Sequence, residues 1–114
     1  MIRGTTPTHV FNVDIPLDNI AVLYVTYKQG KDIVLEKTLD DVEINAEEKT
    51  ISVTLSQEDT LKFKNTNFSW LNPNQNKKDM MIQCQLRIKY NDDSALASNI
   101  MLLDVYDILK DGEI

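Results

Sequence analysis

The chain has 114 residues, 42% hydrophobic and 26% charged, the size and composition of one globular domain rather than of a disordered segment. Its 18 acidic and 12 basic residues leave a net charge of −6, and the one basic doublet, Lys77-Lys78, is followed by Asp79, so neither nucleic acid nor an anionic membrane is an expected partner. No apolar run approaches the roughly 18 residues of a membrane helix, Met1 to Pro7 does not read as a secretory signal, and the lone cysteine, Cys84, reads as a buried inert thiol of a cytoplasmic chain.

From the N-terminus, His9 to Ile15 is the first expected strand, with Phe11, Val13 and Ile15 inward and Asn12 and Asp14 outward. His9 is the only histidine, and it is expected to be exposed or at the strand edge. With no second histidine and no cysteine pair, neither a triad nor a His-based metal site can be assembled around it. Ile15-Pro16-Leu17-Asp18-Asn19 reads as a turn. Asn19 to Gln29 is apolar on both parities, through Ile20, Val22 and Tyr24 and through Ala21, Leu23, Val25 and Tyr27. That pattern predicts a central strand covered on both sides.

Gln29-Gly30-Lys31 predicts a hairpin into a strand over Ile33 to Lys37. Val42 and Ile44 alternate with Asp41, Glu43 and Asn45, and a turn over Ala46 to Lys49 follows. Lys49 to Ser56 is again a half-buried strand, with Ile51, Val53 and Leu55 inward and Ser52 and Thr54 outward. Ser56 with Asp59 three residues later is a capping pattern, which predicts one helical turn through about Leu61.

Met81 to Tyr90 is the clearest element. Ile82, Cys84, Leu86, Ile88 and Tyr90 alternate strictly with Met81, Gln83, Gln85, Arg87 and Lys89. Only a strand gathers the first set on one face. A slip of one residue would bury Gln83, Gln85, Arg87 and Lys89, so the register is firmly specified. Asn91-Asp92-Asp93 predicts a hairpin into a last strand over Ser98 to Tyr106. Asp104 to Asp111 can form a frayed helical turn, and residues 107–114 read as a tail.

About seven short strands with turn signals between them and no helix of length predict an all-β fold: an immunoglobulin-like antiparallel β-sandwich, one domain over residues 1–114. Within it, residues 64–79 form a long irregular loop with five Asn and the apolar trio Phe68, Trp70 and Leu71. Loops of that length usually carry a function or are disordered. Phe68, Trp70 and Leu71 are therefore the candidate interaction residues. The readings open for them are a plug for one end of the sandwich, a protein contact, or a sugar platform shared with Tyr24 or Tyr27. Met80-Met81 beside the loop reads as core filling.

No phosphate-cradling glycine motif occurs among three glycines, so no nucleotide cofactor is expected. Asp40-Asp41 and Asp92-Asp93-Ser94 read as turn chemistry rather than a calcium site. Eighteen acids permit many carboxylate pairs, yet solvated surface charges account for them. The expectation is a non-enzymatic module with no catalytic residue, cofactor, metal or small-molecule substrate.

Three segments carry a resemblance. They are Met1-Ile2-Arg3-Gly4-Thr5-Thr6-Pro7-Thr8-His9, then Ile51 through Leu61, and then the Leu86-Arg87-Ile88 strand with its hairpin and Ala95-Leu96-Ala97-Ser98-Asn99-Ile100. Together they resemble a family of small proteins from phages and prophages of Firmicutes, with residues 64–79 as an expansion. The pattern is more distantly similar to the N-terminal domains of phage baseplate upper proteins. The resemblance implies a phage structural or assembly protein, present in the bacterial cytoplasm during assembly and then in the virion. It would dock other phage structural proteins or copies of itself. The resemblance supplies no catalytic motif. A carbohydrate-binding or host-directed module using the Trp70 loop is the alternative.

Overall fold

Alternation with a period of two becomes strand where one parity can be buried, and short strands also form by pairing at the sheet margins. In the computed structural model, which describes residues 1–63, 81–103 and 112–114, these are β1 (Thr8–Asn12), β2 (Ile20–Gln29), β3 (Asp32–Thr38), β4 (Val42–Asn45), β5 (Thr50–Thr54), β6 (Ile82–Tyr90), β7 (Ala95–Ala97) and β8 (Met101–Leu103). All pairings are antiparallel. One sheet has the order β1-β5-β4; the other has the order β3-β2-β6-β7, with β8 also on β6. Successive strands cross between the sheets or turn back as hairpins, and this order is that of an immunoglobulin-like sandwich in which β1 occupies the place of the second strand.

The inner faces meet in one core. Ile82, Cys84, Leu86 and Ile88 of β6, Leu23, Val25 and Tyr27 of β2, and Ile51, Val53 and Leu55 around β5 are all buried. The alternation in β6 is therefore the burial pattern itself, with Arg87 and Lys89 exposed on the outer side. Tyr90, the last of its inward set, is half-buried and donates its hydroxyl proton to the Pro16 carbonyl.

Three turns show why the strands end where they do. The β2–β3 hairpin has Gly30-Lys31 at its tip, and Gly30 takes φ +63° while Lys31 stays outside the positive region. Glycine at the first tip position is the requirement of a type II′ turn, whose twist matches the strands. At the β6–β7 tip Asp93 has φ +69°, and the Asp92 carboxylate accepts from the Ser94 backbone N–H at 2.9 Å and from its hydroxyl at 2.6 Å. After β3, a 3-10 turn over Leu39–Asp41 is closed by the Asp41 carboxylate, which accepts from the Thr38 N–H at 3.0 Å. The Asp92 and Asp41 side chains are thus occupied with turn bonds.

Three expectations need correcting. β2 is central in its sheet, between β3 and β6, but it is covered on one face only: Val22 and Tyr24 lie on an exposed outer face. Of the strand expected over Ser98 to Tyr106, β8 is the part among the described residues, and a separate short strand, β7, precedes Ser98 where none was expected. The Ser98 hydroxyl accepts the Leu86 N–H at 3.0 Å, and the Ser98 N–H donates to the Leu86 carbonyl at 2.9 Å. A side chain has replaced a ladder position there, which ends regular pairing. β1 stops at Asn12 instead of reaching Ile15. The helical turn expected over Asp104 to Asp111 lies outside the described residues.

Candidate functional site

Among the described residues, two places bring polar and aromatic groups together, one inside the sandwich and one on its outer surface. The inner one begins with His9. It lies in β1, the strand at one end of its sheet, as expected, but its parity is that of Phe11, so it faces inward and is half-buried rather than exposed. His9 Nδ1 lies 2.8 Å from the Tyr27 hydroxyl. Tyr27 is fully buried at mid-core, opposite Cys84 in the β2–β6 register, and it meets Phe63 edge-on with ring centroids 6.0 Å apart.

Burial holds each of these groups in its neutral form. The His9 imidazole is lowered from its ordinary value, first by burial and then by the N-terminal ammonium. Burial raises the Tyr27 phenol, and Cys84 adds to the effect. The Cys84 thiol is pushed up to about 12 by burial, with the Tyr27 hydroxyl acting in the opposite direction. A thiol protonated at neutral pH and closed off from solvent is no nucleophile. This layer joins β1 to the facing sheet, and its chemistry is that of a satisfied core.

It does make stability depend on pH. An imidazole whose value in the folded state is lowered costs nothing above its unfolded value of 6.5. As pH falls through 6.5 the unfolded chain takes up a proton that the native domain resists, so stability declines until the lower folded value is passed. The unfolding temperature is expected to drop between pH 7.5 and pH 5.5, an interval in which no other side-chain type ordinarily titrates. In His9→Asn the drop should be absent; an equal drop in that variant would assign the effect elsewhere.

The outer place is the exposed face of the five-stranded sheet. Cross-strand register sets Tyr24 directly opposite Arg87, and Val22 opposite Lys89. Tyr24 is 39% exposed and Ile33, opposite Lys28 across β2–β3, is 63% exposed. Ile33 and Ile100 border a shallow hollow of about 340 Å³ with Thr26, Lys28, Gln85 and Arg87. Exposed Leu102 stands opposite Gln83 on the same face. Lys28 and Arg87 stand there with Glu36, while Lys89 is paired with Asp93 at 3.4 Å.

Comparison with known protein families and with curated proteins finds no match. Function is therefore argued from the surface itself.

Of the residues singled out in the sequence, Phe68, Trp70 and Leu71 lie outside the described residues. The two tyrosines considered beside them part company: Tyr27 is interior, and Tyr24 is on the outer face. The Tyr24–Arg87 pair was not anticipated. Its signal was present in the even parity of Asn19–Gln29, where Val22 and Tyr24 suggested a second buried face.

Proposed function

We propose that this domain is a non-enzymatic docking module that binds another structural protein through the outer face of its five-stranded sheet. The observation that carries the reading is the Tyr24–Arg87 pair, side by side on an open sheet face and flanked by Val22, Ile33, Ile100 and Leu102. Tyrosine and arginine are enriched among the residues that dominate binding energy, and an apolar centre with charged neighbours is the usual anatomy of such a patch. Lys28 and Arg87, against Glu36 and with Lys89 paired to Asp93, suit a partner whose contacting surface is acidic. The likeness of the N-terminal, central and β6–β7 segments to small phage proteins supports a virion or assembly context. In that setting the partner is another phage structural protein.

Binding to purified structural proteins of the parent phage tests this directly. Tyr24→Ala and Arg87→Glu are each expected to weaken capture at least tenfold, the scale of an interface hot spot. Neither should lower the unfolding temperature much, since both side chains are on the surface. Capture that survives both substitutions would move the docking surface elsewhere. Capture of none of those proteins would remove the virion reading.

A further inference from the structure

The opposite sheet ends in β1, and the phase of its ladder can be read from two hydrogen bonds. The Leu55 N–H donates to the Pro7 carbonyl and the Val13 N–H to the Lys49 carbonyl, both at 2.9 Å, in the register that pairs Phe11 with Ile51. In an antiparallel ladder these are hydrogen-bonded pairs, which recur at every second residue. Residues 7, 9, 11 and 13 therefore turn their backbone groups to β5. Thr8, Val10 and Asn12 turn theirs the other way, and no described strand pairs with β1 on that side. Edge strands usually carry a lysine, a proline or a bulge that blocks further pairing. Thr8-His9-Val10-Phe11-Asn12 has none of these, and Val10 is 55% exposed.

We propose that β1 pairs with β1 of a second copy of this chain, antiparallel about a two-fold axis at Val10. In that register Val10 faces Val10, Thr8 faces Asn12 and His9 faces Phe11. The outward-turned backbone groups of one copy then meet those of the other. The interface is isologous and closes as a dimer. The two three-stranded sheets become one continuous sheet with the order β4-β5-β1-β1-β5-β4.

Although the chain carries a net charge of −6, β1 itself is uncharged, so this approach brings no like charges together. Asp14, the acid nearest β1 in the chain, already lies 3.5 Å from Lys49 and would face the uncharged Thr6 of the other copy. The acids of this sheet, Glu43 on β4 and Glu47 and Glu48 in the turn after it, border one hollow with Val10 but sit two strands away from β1. Five strand spacings separate the two β4 strands, roughly 24 Å. That exceeds the Debye length of about 8 Å at physiological salt. Joining through β1 therefore keeps the acids of the two copies screened from each other. The outer face of the other sheet stays free, so this inference stands apart from the docking reading.

One strand pair is a small interface, so the dimer is weak and concentration-dependent. Sedimentation velocity of the full chain should show a sedimentation coefficient that rises from the monomer towards the dimer value with loading concentration. Val10→Lys places two ammonium groups face to face at the axis and should abolish that rise; Val10→Thr should retain it. In parallel, amide exchange should slow with concentration at Thr8, Val10 and Asn12, while His9 and Phe11 exchange at rates set by β5. A monomer at every concentration overturns the proposal. So does a dimer that persists in Val10→Lys, or exchange at Thr8, Val10 and Asn12 that ignores concentration. If Val10→Lys proves poorly folded, the exchange pattern of the unaltered chain decides alone.

Discussion

Truncating Leu86 to alanine is expected to cost about 2–5 kcal/mol, the range for removing a leucine side chain from a packed core. Leu86 is 2% exposed at the middle of β6 and faces fully buried Val25 across the β2–β6 register. Its backbone is tied on the other side to Ser98, so neighbouring strands cannot simply collapse into the space left behind. A small domain is stable by only about 5–15 kcal/mol, which makes this loss a large share of the total. Arg87→Ala, one residue along and on the outer face, should change stability by no more than about 0.5 kcal/mol. Urea unfolding of the two variants measures the contrast, with the midpoint moving in the first and the slope unchanged in both. Equal effects at the two positions would mean that β6 does not present alternate faces to core and solvent.

That contrast is also what the sequence shows most clearly. In β6 and β5 every second residue is apolar and the others are polar, so one strand register buries the first set and any other register buries charge. The same logic placed His9 on the parity of Phe11, yet its polarity argued for the surface. What decided its place was the Tyr27 hydroxyl, a partner 18 positions away that no local pattern reveals. β2 failed in the other direction. Val22 and Tyr24 looked like a second buried face because β-branched and aromatic residues are common in covered strands. Apolar side chains are also abundant on protein surfaces, and only a three-dimensional neighbour distinguishes the two cases.

Ser98 illustrates a third kind of failure. Its hydroxyl competes with the backbone for the Leu86 N–H, so Ser98, where the last strand was expected to begin, instead ends the pairing of β7, and pairing to β6 resumes only at β8. That no described strand pairs with β1 on one side follows from strand order, which periodicity does not encode. The candidate surfaces were therefore less legible than the core: each depends on what does not cover it.

The second large effect is expected at Asp59, in α1 (Gln57–Leu61), the helical turn after β5. The Ser56 hydroxyl accepts from the Asp59 N–H at 3.1 Å, and the Asp59 carboxylate accepts from the Ser56 N–H at 3.0 Å, a reciprocal cap legible in the sequence. The same carboxylate lies 2.9 Å from Lys37 Nζ of β3, a long-range contact that the cap alone does not predict. Both side chains are largely out of water, at 12% and 19% exposure. Burial by itself would raise this carboxyl, but the Ser56 N–H and the Lys37 ammonium more than offset it, and the group titrates below its ordinary value. Asp59→Ala removes the cap and leaves Lys37 partly buried without its counter-charge, a loss expected at about 3 kcal/mol. Lys37→Met should cost less, because its alkyl stem is replaced and the Ser56 bonds to Asp59 remain. The double variant should be more stable than the two single losses added together, since no charge is then left unmatched. The pH dependence has the sign of a depressed carboxyl: the contribution is complete above its unfolded value of 3.8 and fades as pH falls through the lower folded value. Acid unfolding of the unaltered domain should therefore steepen below pH 3.8 relative to Asp59→Asn, whose amide cannot titrate. Strict additivity in the double variant, or identical acid profiles, would reduce the Lys37–Asp59 contact to a surface ion pair without consequence for the fold.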